Sequence, residues 1–221
     1  MAHKNSSLRP VDVQSSIFAL QCANDSVYLL VTQDASRDLE HFRQGSGSPF
    51  CAQHPFERVL EVALTPGDAL AETAISLAAA YRDRGKLVCS EYEMTPEELG
   101  AIALMRRAPV KVGVHTYVLE LQPIPGHGYP AHYVGKSQDL TKRWANHWAS
   151  TAAKWTARHR PVRVIRVDLE RGASYSDSRS HEDEVTLALM REAQRLHGPN
   201  AWASVRGGRY TAITMGRPHE L

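Results

Sequence analysis

The clearest hydrophobic pattern in the chain is the stripe Val185, Ala188, Leu189, Ala193 and Leu196, spaced for one face of a helix over Glu182–His197. Gly198 and Pro199 end it. A shorter stripe, Leu140, Trp144 and Trp148 at i, i+4 and i+8, predicts a second helix with Asp139 at its N-cap. Upstream, Thr116–Gln122 reads as a strand, 123–131 as a hairpin loop rich in Pro and Gly, and His132–Lys136 as the returning strand. Pro161 precedes a third strand through Asp168, and the small, polar stretch Gly172–Ser180 reads as a loop. The order β-β-α-β-α predicts a small α+β unit with a three-stranded antiparallel sheet.

The same pattern occurs twice. Laid without gaps over His132–His159, the segment Val27–His54 places Tyr28 on Tyr133, Gln33-Asp34 on Gln138-Asp139, Arg37 on Lys142, Phe50 on Trp155 and His54 on His159. One deletion then sets Pro55 on Pro161, and Thr73 and Gly85 share the spacing of Thr186 and Gly198. An aromatic, a histidine and a proline kept in register over this length indicate tandem copies of one unit. Between the copies, Met94–Arg107 predicts a linking helix, with Thr95 at the N-cap, Pro96 at the first turn and Glu98 completing a capping box. The expected organisation is two α+β units, 1–93 and 111–221, joined by 94–110. Each unit is expected to carry its own three-stranded antiparallel sheet flanked by helices. An internal pseudo-dimer that buries the apolar helix Leu70–Tyr81 is expected, and a homo-oligomer is compatible with it.

Composition narrows the partners. No apolar run approaches the ~20 residues of a membrane span, and Met1–Arg9 lacks a signal-peptide pattern. Three widely spaced cysteines, Cys22, Cys51 and Cys89, argue against a disulfide framework or zinc site and suit a reducing cytoplasm. The net charge of +2 conceals an asymmetry: 10 Lys/Arg against 14 Asp/Glu in residues 1–108, but 16 against 10 in 109–221. Lys136, Lys142, Arg143, Lys154, Arg158, Arg160, Arg163 and Arg166 gather in the second half, the signature of a polyanion partner.

Candidate chemistry falls in the same half. Tyr117 lies on one strand and Tyr133-Val134-Gly135 on the next. Arg143 and His147 follow one helical turn apart, and Glu182, Asp183 and Glu184 stand together before the apolar stripe. This series resembles the GIY-YIG nuclease superfamily, and Ser204-Val205-Arg206-Gly207-Gly208-Arg209-Tyr210 is similar to the Asn-Val-Arg-Gly-Gly-Ser-Tyr ending of one bacterial and phage subgroup. The likeness spans roughly 114–210 and implies a phosphodiester hydrolase acting on nucleic acid, DNA foremost, with Mg²⁺ or Mn²⁺. It implies Tyr117, Tyr133, Arg143 and His147 as catalytic groups and a helix-borne carboxylate as metal ligand. Glu182, nearer the apolar stripe, is preferred to Glu184. Gly135, Lys136, Lys142, Lys154, Arg158 and Arg206 are the expected nucleic-acid contacts. Trp144, Trp148 and Trp155 are read as core. Two departures stand out: Ser204 replaces the subgroup's Asn, and Thr186 occupies a place where the family often carries its Glu. They favour, as the alternative, a non-catalytic nucleic-acid-binding or protein-interaction module.

The residue types suit the reaction. A guanidinium stabilises charge building on the equatorial phosphate oxygens, and a hard cation needs as little as one carboxylate. A phenol titrating near ~10 is a weak base at pH 7, so the site is expected to lower one tyrosine's pKa. In the first copy Leu30 stands for Gly135, Asp38 for Arg143, Phe42 for His147 and Ala69 for Glu182. That copy is expected to be inactive.

Overall fold

The computed structural model describes residues 15–65, 67–170 and 177–221. The first half runs β1 (Ser15–Cys22), β2 (Ser26–Thr32), α1 (Ala35–Arg43), α2 (Pro49–Gln53), β3 (Phe56–Thr65), α3 (Leu70–Asp83) and β4 (Leu87–Ser90). After α4 (Pro96–Met105) the second half repeats the order: β5 (His115–Leu121), β6 (Ala131–Ser137), α5 (Leu140–Trp148), α6 (Lys154–Arg158), β7 (Pro161–Leu169), α7 (Asp177–His197) and β8 (Val205–Gly207).

The expectation of two separate three-stranded antiparallel sheets is wrong. The strands form a single eight-stranded mixed sheet in the order β4-β2-β1-β3-β7-β5-β6-β8. Each half adds a fourth strand in parallel, β4 beside β2 and β8 beside β6. These strands have four and three residues, too short for an alternating pattern to show. The halves then join edge to edge, β3 antiparallel to β7 with Val62 opposite Val164. Left apart, each would expose an unpaired strand edge; pairing them covers both.

The repeat is visible in matched geometry. Asp34 and Asp139 accept from the backbone N–H of Arg37 and Lys142 at the starts of α1 and α5. Gly45 and Ser150, 105 positions apart, both have positive φ. Leu20 pairs with Val59 as Leu119 pairs with Val164, and Cys22 with Phe56 as Leu121 with Pro161. Phe56 therefore matches Pro161 and no deletion is needed. The two helices also cap each other across the seam: Leu140 N–H donates to Ser36 Oγ at 2.9 Å and Ala35 N–H to Thr141 Oγ1 at 3.2 Å.

One core serves both halves. Phe18 stacks against Trp144 with centroids 5.8 Å apart, within a cluster that also holds Tyr28, Phe42, Tyr117 and Leu140. On the opposite face, α3 packs through Ala78 and Tyr81 on Ala19, Val27 and Leu29 of its own half. The helix Leu70–Tyr81 is thus not buried between the halves, as expected, because α1 and α5 take that place. Helix α4 forms with the predicted capping box. The second long helix begins at Asp177, five residues before Glu182, so its first turn occupies part of the expected loop; residues 172–176 of that loop lie outside the described residues, as does the Met1–Arg9 end.

His115, fully buried, makes no well-formed hydrogen bond through either ring nitrogen among the described residues. Burial pushes its pKa down to about 4, with nearby Glu40 opposing the shift. The unfolded chain takes up this proton near pH 6.5 and the folded chain only near 4. Stability is therefore full above about pH 6.5 and falls on acidification toward 4, by about 1.4 kcal/mol per pH unit at most. Denaturant melts of His115→Leu are expected to lose this part of the slope; an unchanged slope would refute the assignment.

Candidate active site

The paired strands β5 and β6 set Tyr117 directly opposite Gly135. A Cβ built on Gly135 would lie 2.5 Å from the Tyr117 hydroxyl and 2.8 Å from Tyr133 Cε1. The glycine is therefore the space in which the two phenols meet, and a backbone approach to substrate is not its first role. Gly135→Ala must displace a buried ring. It is expected to cost about 1–3 kcal/mol by overpacking, read as a lowered denaturation midpoint; a midpoint equal to wild type would show that the rings move freely.

Behind the phenols lies a buried relay. His147 Nε2 is 2.7 Å from the Tyr117 hydroxyl, and Nδ1 is 2.8 Å from Thr156 Oγ1. Thr156 donates its own proton to the Ala153 carbonyl, so it accepts from His147 Nδ1–H. That fixes the tautomer: Nε2 is bare and accepts from Tyr117 O–H. Thr156, in the middle of α6 and fully buried, was not singled out from sequence; its distance from His147 along the chain gave no helical or strand spacing to notice.

Electrostatics here run against expectation. Burial, and then Tyr133, push the Tyr117 pKa up, while Arg143 opposes them only in part. Burial and Arg143 bring His147 down to about 3. At neutral pH the resting pair is a neutral phenol donating to a neutral imidazole. The expected lowering of a tyrosine pKa is not found at Tyr117, because its ring is fully enclosed.

Arg143, on α5 and only half-buried, donates from Nε to the Tyr117 hydroxyl at 3.2 Å and also interacts with Tyr133. From the other direction comes α7. Glu182 is 7 % exposed and accepts the Gly208 N–H at 3.1 Å, and its second oxygen stands 3.9 Å from Lys136 Nζ. Burial raises its pKa, with the Gly208 amide and Lys136 opposing. Because the helix starts at Asp177, Glu182 lies beyond the first turn, where the helix dipole no longer accounts for an acidic residue. Glu184 instead points outward, its side chain 76 % exposed and near His181. Thr186 is buried and bonds back to the Glu182 carbonyl.

Among the described residues no group of three or more His, Cys, Asp or Glu side chains is arranged around a metal position. A single carboxylate still fits a hard cation that keeps most of its waters, since the oxygen facing Lys136 lies beyond hydrogen-bond distance of it.

The cationic residues divide. Lys142, Lys154 and Arg158 are exposed, on α5 and α6. Arg206 is not a surface phosphate contact: it is 3 % exposed and donates to the carbonyls of Ala203, Val205, Ala212 and Ile213, with its guanidinium 4.8 Å over Trp155. It ties down the segment after β8, and Asp183 does the same by accepting the Arg209 N–H at 2.8 Å. Tyr133 and Lys154 line a groove of about 560 Å³ whose other wall is Thr211–Thr214. Trp144 is fully buried and Trp155 nearly so, as expected of core residues; Trp148 packs against the same core.

In the first half, register puts Phe18 at the place of Tyr117 and Leu30 at that of Gly135. The pocket is filled from within. Arg106, just past α4, pairs with Glu91 and donates to the Gly47 carbonyl at 2.8 Å. Its guanidinium lies 5.0 Å over the Phe42 ring and 3.8 Å from Asp38. Glu91 in turn accepts from the Tyr28 hydroxyl and the Val31 N–H, each at 2.9 Å. Comparison of the chain with protein families, with curated proteins and with solved structures finds no match to any of them. Among the described residues no helix is long and apolar enough to cross a membrane.

Proposed function

We propose that the chain is a metal-dependent endonuclease that hydrolyses phosphodiester bonds of nucleic acid, DNA foremost, with its chemistry confined to the second half. The supporting observation is convergence: Tyr117, Tyr133, Arg143 and His147 meet around Gly135, a position where any side chain would collide with the phenols. In this reading the exposed part of Arg143 binds the scissile phosphate and stabilises charge on its equatorial oxygens. Tyr133, which borders the groove, orients the attacking water. Tyr117, His147 and Thr156 are enclosed and act as positioning residues that hold Arg143 and Tyr133 in place. Glu182 would hold a Mg²⁺ or Mn²⁺ ion, whose chemistry when bound would be to neutralise charge on the departing 3′-oxygen.

The experiment is nicking of supercoiled plasmid by the full chain with Mg²⁺, Mn²⁺ or EDTA, comparing wild type with Glu182→Gln. Divalent-dependent nicking abolished by the substitution is expected. Nicking indifferent to both chelator and substitution would overturn the reading.

The second reading, a non-catalytic binding module, draws on enclosure: Tyr117 and His147 are fully buried and Tyr133 only 5 % exposed. Nucleic-acid binding without nicking in either metal would favour it.

A further inference from the structure

A cavity of about 660 Å³ belongs to neither half alone. It lies over the β3–β7 seam and is bordered by α3 and the turn that follows it. Leu60 from β3 and Ile165 from β7 give it an apolar lining, and Val62 and Val164, which also border it, are buried in the core on the other face of the sheet. Around that lining stand four cations: Arg58 on β3, Arg84 and Lys86 between α3 and β4, and Arg163 on β7. The two anions on the rim are already engaged. Glu61 accepts the Tyr81 hydroxyl at 2.7 Å, and Asp25 pairs with Lys86. Arg58 donates to the neutral Gln21 side chain at 2.8 Å, and the Arg84 guanidinium lies 5.3 Å over the Tyr81 ring. Arg163 donates to the Glu120 carboxylate at 2.8 and 3.1 Å, whereas among the described residues neither Arg58 nor Arg84 has a carboxylate partner. The half whose overall balance is acidic thus turns three cations toward this one face.

We propose that this cleft binds the phosphate backbone of a nucleic-acid strand, at a site separate from the Tyr117–Arg143 cluster. Guanidinium groups match phosphate oxygens in fork geometry, and here they are spread along a seam instead of converging on one point, which suits a chain of phosphates better than a single small anion. The apolar lining offers contact for sugars and base faces. The sheet creates the site by pairing β3 with β7, so the duplication gains a use for its inactive half: it carries substrate contacts without chemistry. This holds whether or not the other cluster hydrolyses.

The test measures fluorescence anisotropy of a labelled 16-nucleotide single strand bound to the full chain in EDTA, over a range of salt. Arg58→Ser/Arg84→Ser/Arg163→Ser removes three exposed cations and is expected to weaken binding at least tenfold at low salt. The slope of log affinity against log salt should fall by about 2, at ~0.7 for each phosphate that is no longer neutralised. Arg143→Ala is expected to lower nicking about 10²–10³-fold and to lower the slope by no more than a single phosphate's share, which separates failure of the nuclease reading from failure of this one. Unchanged affinity and slope in the triple variant would overturn the proposal. So would displacement of the oligonucleotide by poly-glutamate as readily as by unlabelled strand, which would make the cleft a site for acidic protein. Should the triple variant melt below wild type, Arg84→Ser alone is read instead, with weaker binding and a slope lowered by ~0.7 expected and unchanged affinity and slope overturning the proposal.

Discussion

Arg106→Ala is expected to destabilise the protein by about 3–5 kcal/mol, the cost of removing one partner from a buried ion pair. The Arg106 side chain is 11 % exposed and that of Glu91 only 6 %, so water cannot replace the lost guanidinium. Glu91 would keep its bonds from Tyr28 and Val31 N–H but remain a nearly enclosed charge, and the Phe42 ring would lose the group stacked on it. For a chain of this size the midpoint of thermal unfolding should drop by about 10 °C. The double variant Arg106→Met/Glu91→Gln removes both charges and is expected to recover most of the loss. If the single substitution costs under about 1 kcal/mol, Arg106 is a surface tether and the first half's pocket is not held closed by it.

The second large effect concerns rate. Under the proposed nuclease function, Arg143→Ala is expected to lower plasmid nicking about 10²–10³-fold, the range found when one preorganised donor to a developing oxyanion is removed. Stability should change little, because Arg143 is only half-buried and its partners are neutral hydroxyls, with Tyr117 still bonded to His147. Arg143→Lys should recover only a small part of the rate, since an ammonium cannot engage both a phenol and a phosphate in fork geometry. Nicking by Arg143→Ala within about threefold of wild type would remove the guanidinium from the chemistry and, with it, the main electrostatic argument for the site.

The two halves show how one scaffold can carry different charges in the same place. In the second half a glycine clears room for two phenols, and the guanidinium beside them reaches partway to solvent. In the first, Leu30 and Phe42 fill that room and the arginine arrives from the linking segment to satisfy Glu91. An arginine bonded to neutral hydroxyls can still accept a phosphate. One locked onto a buried carboxylate and stacked on a ring is already engaged.

Local order was legible in the sequence wherever a short-range rule applied. Asp34 and Asp139 capping their helices, the Thr95–Glu98 box, the returning strands and the stripe of the last helix all depend on neighbours within a turn or a hairpin. So did the duplication, through residues held in register. Among the site residues, the closeness of Arg143 to His147 follows from helical spacing, and the preference for Glu182 over Glu184 followed from the apolar stripe. The structure buries Glu182 and turns Glu184 outward, as their places relative to that stripe predict.

What the tertiary structure alone decided were the contacts between segments far apart in the chain. Whether β3 and β7 end two sheets or join one depends on two strand edges finding each other, and no alternation within either strand encodes that partner. Arg206 looks like any other cation along the sequence, yet its guanidinium is taken up by four backbone carbonyls, two of them brought round by the chain after β8. The direction of the Tyr117 pKa shift is likewise a matter of enclosure: residue type supplies the phenol and the neighbouring arginine, but only packing determines that desolvation outweighs the charge.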